Sequence, residues 1–388
     1  MVLRFSRWTR PAPCALTAFG ILFVPAAHEG RLAGQAPQQT KGAAKAAVPA
    51  DAPKFKAIWE PVNVPHDLEL TSIHFASAEE GWVTGGKNAM NGGVIFHTSD
   101  GGNNWELQSG DTESSDRAIG HLRILNAKLG FAVQSASGGG HTLLRTTDGK
   151  TWAPSGTVAE HRLDYQFTSQ DVGFYTSGEQ IFRTRNGGRG WESVFRGGVR
   201  VEVQGLTREV PCQFWRMHFV NSNLGFALGR PMADGAGIVV ARTEDGGTTW
   251  KLTVVLSGEA AQESALRFFD DNTGVLRTQN GKLFRTADGG QTWTGASGAA
   301  GGSKPEMEFA DPQVGWMMRY RTMAYTTNGG ASWVSREIGF PAMVNAFCLV
   351  QRDRGYAAGE HGMVYRYRVV PMDYTSKGML AAPAMPAR

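Results

Sequence analysis

The chain has 388 residues, of which 50 are Gly, 10% are aromatic and only 19% are charged. That mix suits many short strands joined by tight turns, because Gly supplies the positive φ angles that turns need. It excludes a mainly helical or disordered chain. The formal charge of +4 owes much to the first 36 residues, which hold Arg4, Arg7, Arg10 and Arg31 against Glu29. Taking those four from the 39 basic residues and the one from the 35 acids leaves 35 against 34, so charge offers no argument for nucleic acid.

In chain order, the N-terminus reads as a targeting segment. Basic residues precede the apolar stretch Ala15–Ala27, whose 13 residues are too few to span a bilayer and right for a secretory leader. Small-residue cleavage sites follow Ala27 and Ala36. The expectation is a signal peptide over 1–36, a periplasmic or secreted protein, and no transmembrane segment after cleavage. Cys14 lies before the apolar stretch, where a lipid-anchor cysteine would not. Residues 37–54 are an Ala/Pro/Lys linker and 371–388 a flexible tail.

Between them one octapeptide recurs: Thr98–Trp105, Thr184–Trp191, Thr243–Trp250, Thr286–Trp293 and Thr326–Trp333, with a copy one residue shorter at Thr146–Trp152. Its tryptophans are 47, 39, 59, 43 and 40 residues apart. Ahead of each copy stands an apolar strand, a polar turn, then Gly followed by an aromatic, as in Gly81-Trp82, Gly130-Phe131, Gly173-Phe174, Gly225-Phe226, Gly315-Trp316 and Gly355-Tyr356; Gly274-Val275 departs from the rule. These are seven units, six with the octapeptide. The first reads as four strands, Ser72–Phe75, Gly81–Thr84, Val94–Thr98 and Trp105–Gln108.

A four-stranded sheet this small cannot bury its faces alone, so such units stack around an axis. The expected fold is all-β, a seven-bladed propeller over 55–370. In each octapeptide the acidic or amide residue (Asp100, Asp148, Asn186, Asp245, Asp288, Asn328) accepts backbone bonds two residues on, inside the turn between the third and fourth strands. The tryptophan (Trp105, Trp152, Trp191, Trp250, Trp293, Trp333) returns to bury a large apolar surface. All twelve are read as structural and none as a catalyst. The seventh unit, Val344–Val370, lacks the octapeptide; Trp59, within Phe55–Val64, is expected to complete it and close the ring.

The octapeptides resemble the Asp-box, or BNR, repeat of sialidase-like propellers. The whole pattern is similar to the photosystem II stability/assembly factor family and its bacterial relatives. In photosynthetic members that resemblance implies a lumenal or periplasmic chaperone that binds a nascent membrane subunit; elsewhere it implies an exported protein of unassigned role. It points to a protein partner in the cell envelope, with a single copy of the chain acting as a monomeric scaffold. No metal-ligand spacing or cofactor motif stands in the sequence.

The alternative is a glycan-active hydrolase, because glycosidases share the repeat. The Phe/Tyr-Arg-Ile-Pro motif of sialidases is absent; the nearest string is Tyr365-Arg366-Tyr367-Arg368. A hydrolase would bring together carboxylates from Glu202, Glu209, Asp234 and Glu360. A scaffold would work through the face opposite the octapeptides, where the longest loops are expected at Leu107–Gly120, Glu192–Phe214, Met232–Ile238 and Ser257–Glu263. Arg230, Arg277 and Arg319 fall just after second strands there, joined by Arg321, Arg200 and Arg216. Converging arginines suit a carboxylate-rich segment; ordinary solvated loop arginines are the plainer reading. His141 and His361 read as surface residues of the same loops. Cys212 and Cys348 read as buried thiols rather than a disulfide.

Overall fold

The computed structural model describes residues 55–87, 93–112, 117–136, 140–158, 164–203, 206–233, 237–257, 264–297, 307–319 and 322–371. The leader and linker expected over 1–54 and the tail from 372 onward lie outside them, and Pro371 still belongs to a strand. The described strands form seven antiparallel sheets, six of four strands and one of five. Each sheet is one blade, numbered in chain order, and the inner strands, which meet from blade to blade, are Glu69–Phe75, Arg117–Asn126, Tyr165–Phe167, Leu206–Phe219, Ala265–Phe268, Met307–Phe309 and Val344–Gln351. Among the described residues no helix is long and apolar enough to cross a membrane.

The ring closes where the sequence placed the closure. The N-terminal strand Phe55–Pro61 is the outer strand of blade 7, and its Trp59 pairs with Tyr367 of Val364–Pro371. Trp59 meets Trp316, Phe340 and Tyr367 at ring-centroid distances of 5.5, 5.1 and 5.3 Å. Beside it Glu60 accepts hydrogen bonds from Arg368 and Arg366. The Arg368 bond above all holds the Glu60 carboxyl below its usual range.

The Gly-aromatic dipeptide has a packing reason. A Cβ on Gly81, Gly173, Gly225, Gly274 or Gly315 would fall within 3 Å of the Phe ring that ends the inner strand of its own blade. The Gly makes room for that ring. The aromatic after it stacks on the corresponding Phe of the next blade: Phe131 on Phe167 at 3.5 Å, Phe174 on Phe219 at 4.4 Å, Phe226 on Phe268 at 3.6 Å, and Tyr356 on Phe75 at 3.5 Å across the closure. The octapeptide tryptophans then present edges to the same Phe rings, as Trp250 does to Phe219 and Trp293 to Phe268. Phe75, Phe167, Phe219 and Phe268 are thus each held from three sides.

The tryptophans bury less than the sequence suggested. Trp333 is buried, at 5% exposure, while the other five are half-buried, because they sit on the outer side of those Phe rings. The turn itself lies between third and fourth strands as expected, but its bonds reach further. Asp245 accepts from the N–H groups of Thr248 and Thr249, three and four residues on. Only the short copy bonds two residues on, from Lys150 to Asp148. Two consecutive glycines at positive φ, 66° and 75° at Gly246 and Gly247, swing the later amides back onto the carboxylate.

The leading Thr carries the buried half of the motif. Thr243 Oγ1 donates to Asp245 and accepts the N–H of Gly247 at 2.8 Å. Thr243→Val keeps the shape and strands that amide. The expected cost is roughly 1–3 kcal/mol, read as a lower urea midpoint at unchanged slope; a midpoint within error of the parent would remove the hydroxyl from the account.

Two expected loops are largely strand. Leu107–Gly120 contains the end of blade 1's outer strand, Glu106–Gly110, and the start of blade 2's inner strand, Arg117–Asn126. Glu192–Phe214 holds blade 3's outer strand Glu192–Arg196, then a hairpin of Gly198–Val203 with the long strand Leu206–Phe219. Most of Ser257–Glu263, and Asp234 within Met232–Ile238, lie outside the described residues.

Candidate functional site on the loop face

One inner-strand position recurs in every blade. Opposite the residue that follows the repeat Gly stand His74, Arg123, Gln166, His218, Arg267, Glu308 and Cys348, one per blade. Several tie their blade to the next. The Gln166 amide donates to the Phe219 carbonyl at 3.1 Å and accepts its N–H at 2.8 Å. His218 Nε2 bonds the Phe268 carbonyl at 2.8 Å. Arg123 meets Asp164 at 3.1 Å, and the other oxygen of Asp164 accepts the Met217 N–H at 2.9 Å. These contacts staple neighbouring blades together, and sequence reading missed them because the residue types differ from blade to blade.

Burial, with Arg123 nearby, pushes His74 down to about 4; burial, with Arg267 nearby, takes His218 to about 3. Both are neutral in the folded protein near pH 7. The unfolded chain binds their protons near pH 6.5. Their contribution to stability is therefore complete above that pH and is lost as pH falls toward the folded values. His218→Gln, which copies the amide of blade 3, should remove part of that loss, up to about 1.4 kcal/mol per pH unit. Urea midpoints at pH 7 and pH 5 measure it; equal slopes for parent and variant would count against a buried neutral His218.

The six arginines separate. Arg200, Arg216 and Arg230 all belong to blade 4. Arg200 is exposed on the hairpin, cross-strand from Glu209. Arg216 stands at the bulge of the inner strand, half-buried, and Arg230 pairs with Gln213 near the end of the second strand, also half-buried. Arg277 ends blade 5's second strand and is buried at 3% exposure, which removes it from any open patch. Arg319 ends blade 6's second strand, opposite Thr322, and its side chain lies outside the described residues, as does all of Arg321. Arg230, Arg277 and Arg319 fall five, three and four residues after their repeat glycines, so their places are not equivalent.

What the sequence reading took for a loop is the loop face's own architecture. The hairpin pairs Gly198↔Pro211 through Val203↔Leu206. Its second strand continues directly into the inner strand of blade 4, pairing Cys212↔Pro231 onward. Val210 is buried and Val199 half-buried, while Arg200, Thr207, Arg208 and Glu209 are exposed. The alternation Val199/Val201/Val203 ahead of the dipeptide Gln204-Gly205 was the available signal.

Of the carboxylates named for a hydrolase, the two whose side chains are described stand on different blades. Glu209 is on the blade 4 hairpin, and Glu360 lies in a turn of blade 7, accepting the Met343 N–H. The side chain of Glu202 and the whole of Asp234 are outside the described residues. No group of three potential metal ligands clusters among the described residues. Cys212 and Cys348 are free, buried thiols on blades 4 and 7. His141 begins a strand of blade 2, and His361, exposed, pairs with Asp67 at 2.8 Å.

Residues 155–307 match the family described as photosynthesis system II assembly factor YCF48. The photosystem II assembly protein Ycf48 of Synechococcus sp. (strain JA-2-3B'a(2-13)) is 25% identical over 205 residues, half of this chain and 54% of that protein. The chain thus aligns with about half the length of that curated relative. Among solved structures, YCF48 from Cyanidioschyzon merolae aligns at a TM-score of 0.58 and 16% identity, covering 80% of this chain and 98% of that one. YCF48 bound to a D1 peptide aligns at 0.55 and 16%, covering 82% and 96%. At such identity the structures speak for the fold alone, and they are propellers of this kind. The chain thus shares the fold of these propellers, and over residues 155–307 it resembles the photosystem II assembly factor family.

Proposed function

We propose that the protein is an exported binding and assembly scaffold of the cell envelope that recognises a carboxylate-bearing segment of a protein partner through its loop face, acting as a monomer. The observation that carries this reading is the blade 4 hairpin, which exposes Arg200 and Arg208 on its two faces, with Arg216 and Arg230 further along the same sheet. Guanidinium groups held on strands suit a carboxylate with little loss of freedom on binding. The related YCF48 caught with a D1 peptide supports a protein segment as the ligand class. Export rests on the basic and apolar character of the first 36 residues.

Arg200→Glu with Arg208→Glu should lower partner recovery from an envelope extract by about tenfold, the scale of one lost charge-assisted contact, with the melting temperature unchanged. Equal recovery by parent and variant would refute the loop-face reading. Mass spectrometry of the mature N-terminus tests export, with an intact Met1 as the contrary result.

A further inference from the structure

The opposite, Asp-box face is not uniform. Between blades 2 and 3 it opens into a groove of about 610 Å³, lined among others by Leu125, Lys128, Leu129, Thr147, Phe167 and Gln170. At this place blade 4 carries Glu244, which turns back to Arg242 at 2.6 Å; Thr147 in blade 2 is too short to do so and leaves the mouth clear.

Charge around the groove is also one-sided. The turns of blades 2 and 3 on this face, 125–130, 145–153, 167–173 and 183–192, hold six cations, Lys128, Arg145, Lys150, Arg183, Arg185 and Arg189, against Asp148, Asp171 and Glu192. Glu192 is engaged by Arg183 and Arg185. The Asp148 carboxylate is taken up by the N–H groups and hydroxyl of its own turn. The third box carries Asn186 instead of an acid. Lys128, Lys150, Arg185 and Arg189 are exposed. The same turns of blades 4 and 5 reverse the balance, with Arg242, Lys251 and Arg285 against Glu244, Asp245, Asp270, Asp271 and Asp288.

We propose that this groove docks an acidic, extended segment of a second protein, its carboxylates beside Lys128 and the exposed cations of the adjoining turns. The groove's lining includes Asn126, Lys128, Thr168, Ser169 and Gln170, polar partners for an extended backbone, and the surplus cations of the adjoining turns match the segment's charge. A bilayer fits it less well. The large apolar side chains exposed among the described residues, Phe55, Leu107, Met232, Val254, Val334 and Met343, lie outside these turns, so nothing beside the groove would insert. The protein would then hold partners on both faces of one ring.

The probe is a fluorescein-labelled decapeptide of alternating Asp and Glu, followed by anisotropy on the full chain. Binding is expected, weakening with added salt. Lys128→Glu with Arg185→Glu and Arg189→Glu should weaken it at least about tenfold. Thr147→Trp should weaken it as well, by filling the groove without changing charge. That position is Ser99, Arg185, Glu244, Ala287 and Thr327 in the other boxes, so the fold tolerates change there. Arg200→Glu with Arg208→Glu should leave it unaltered, which separates this site from the loop face. The proposal is overturned if the peptide does not bind, if either groove variant binds like the parent, or if vesicles with one-third phosphatidylglycerol capture the protein in a Lys128-dependent way while the peptide does not.

Discussion

A chain lacking Phe55–Pro61 should melt well below the parent, unfold less cooperatively and self-associate. The strand supplies seven paired residues to blade 7, and Trp59 alone is worth about 3 kcal/mol by the cost of removing a packed aromatic. Its loss also leaves Arg366 and Arg368 without Glu60, so two partly buried cations lose their counter-charge. Strand Val364–Pro371 then becomes an open edge carrying Tyr365 and Tyr367, and such edges pair with other chains. Size-exclusion chromatography with light scattering and a thermal melt read both effects. A synthetic peptide of residues 55–61 added in excess should restore part of the melt. An unchanged melt and elution would show that the ring does not depend on this strand.

Phe268→Ala should cost roughly 3–5 kcal/mol, the largest effect expected from a single side chain here. Phe268 is 1% exposed, stacks on Phe226 of blade 4 at 3.6 Å and receives the edge of Trp293 at 6.0 Å. Its removal empties the joint between blades 4 and 5. A double-mutant cycle with Phe226→Ala should return a coupling of about 0.5–1.5 kcal/mol, the share due to ring-on-ring geometry. Urea unfolding measures all three variants. A cost below about 1 kcal/mol, or additive losses, would mean that the blades are joined elsewhere.

Several features were legible before any coordinates. The seven strand-turn-Gly units, six of them followed by the octapeptide, predicted the blade count, and the lone Trp59 with an incomplete last unit predicted how the ring closes; both are read from short recurring patterns. The Gly-aromatic pair was visible too, but not its purpose, since the Phe that needs the space lies on the neighbouring strand. The arginine preceding four of the box threonines, as in Arg145 and Arg242, was overlooked. Arg242 crosses to the next blade and donates to the carbonyls of Asp271 and Gly289, a contact between residues 29 and 47 positions apart.

The candidate site was less legible. The stretch 192–214 looked like loop because its outward residues are polar, although Val199, Val201 and Val203 alternate as a strand should. The arginines looked equivalent because each follows a second-strand Gly, yet a count that differs by a residue changes which surface a strand position faces. Arg277 was thereby taken for an open residue when it is buried.

By itself, then, the sequence determined the repeat unit, the number of blades, the turns and the closing strand. Each depends on residues within a few positions of one another, or on the period at which they recur. Only the tertiary structure decided which charges reach solvent, which side chains staple neighbouring blades and where grooves open. Those depend on how one blade's face meets the next, across 47 to 53 residues of chain, and no local pattern encodes that meeting.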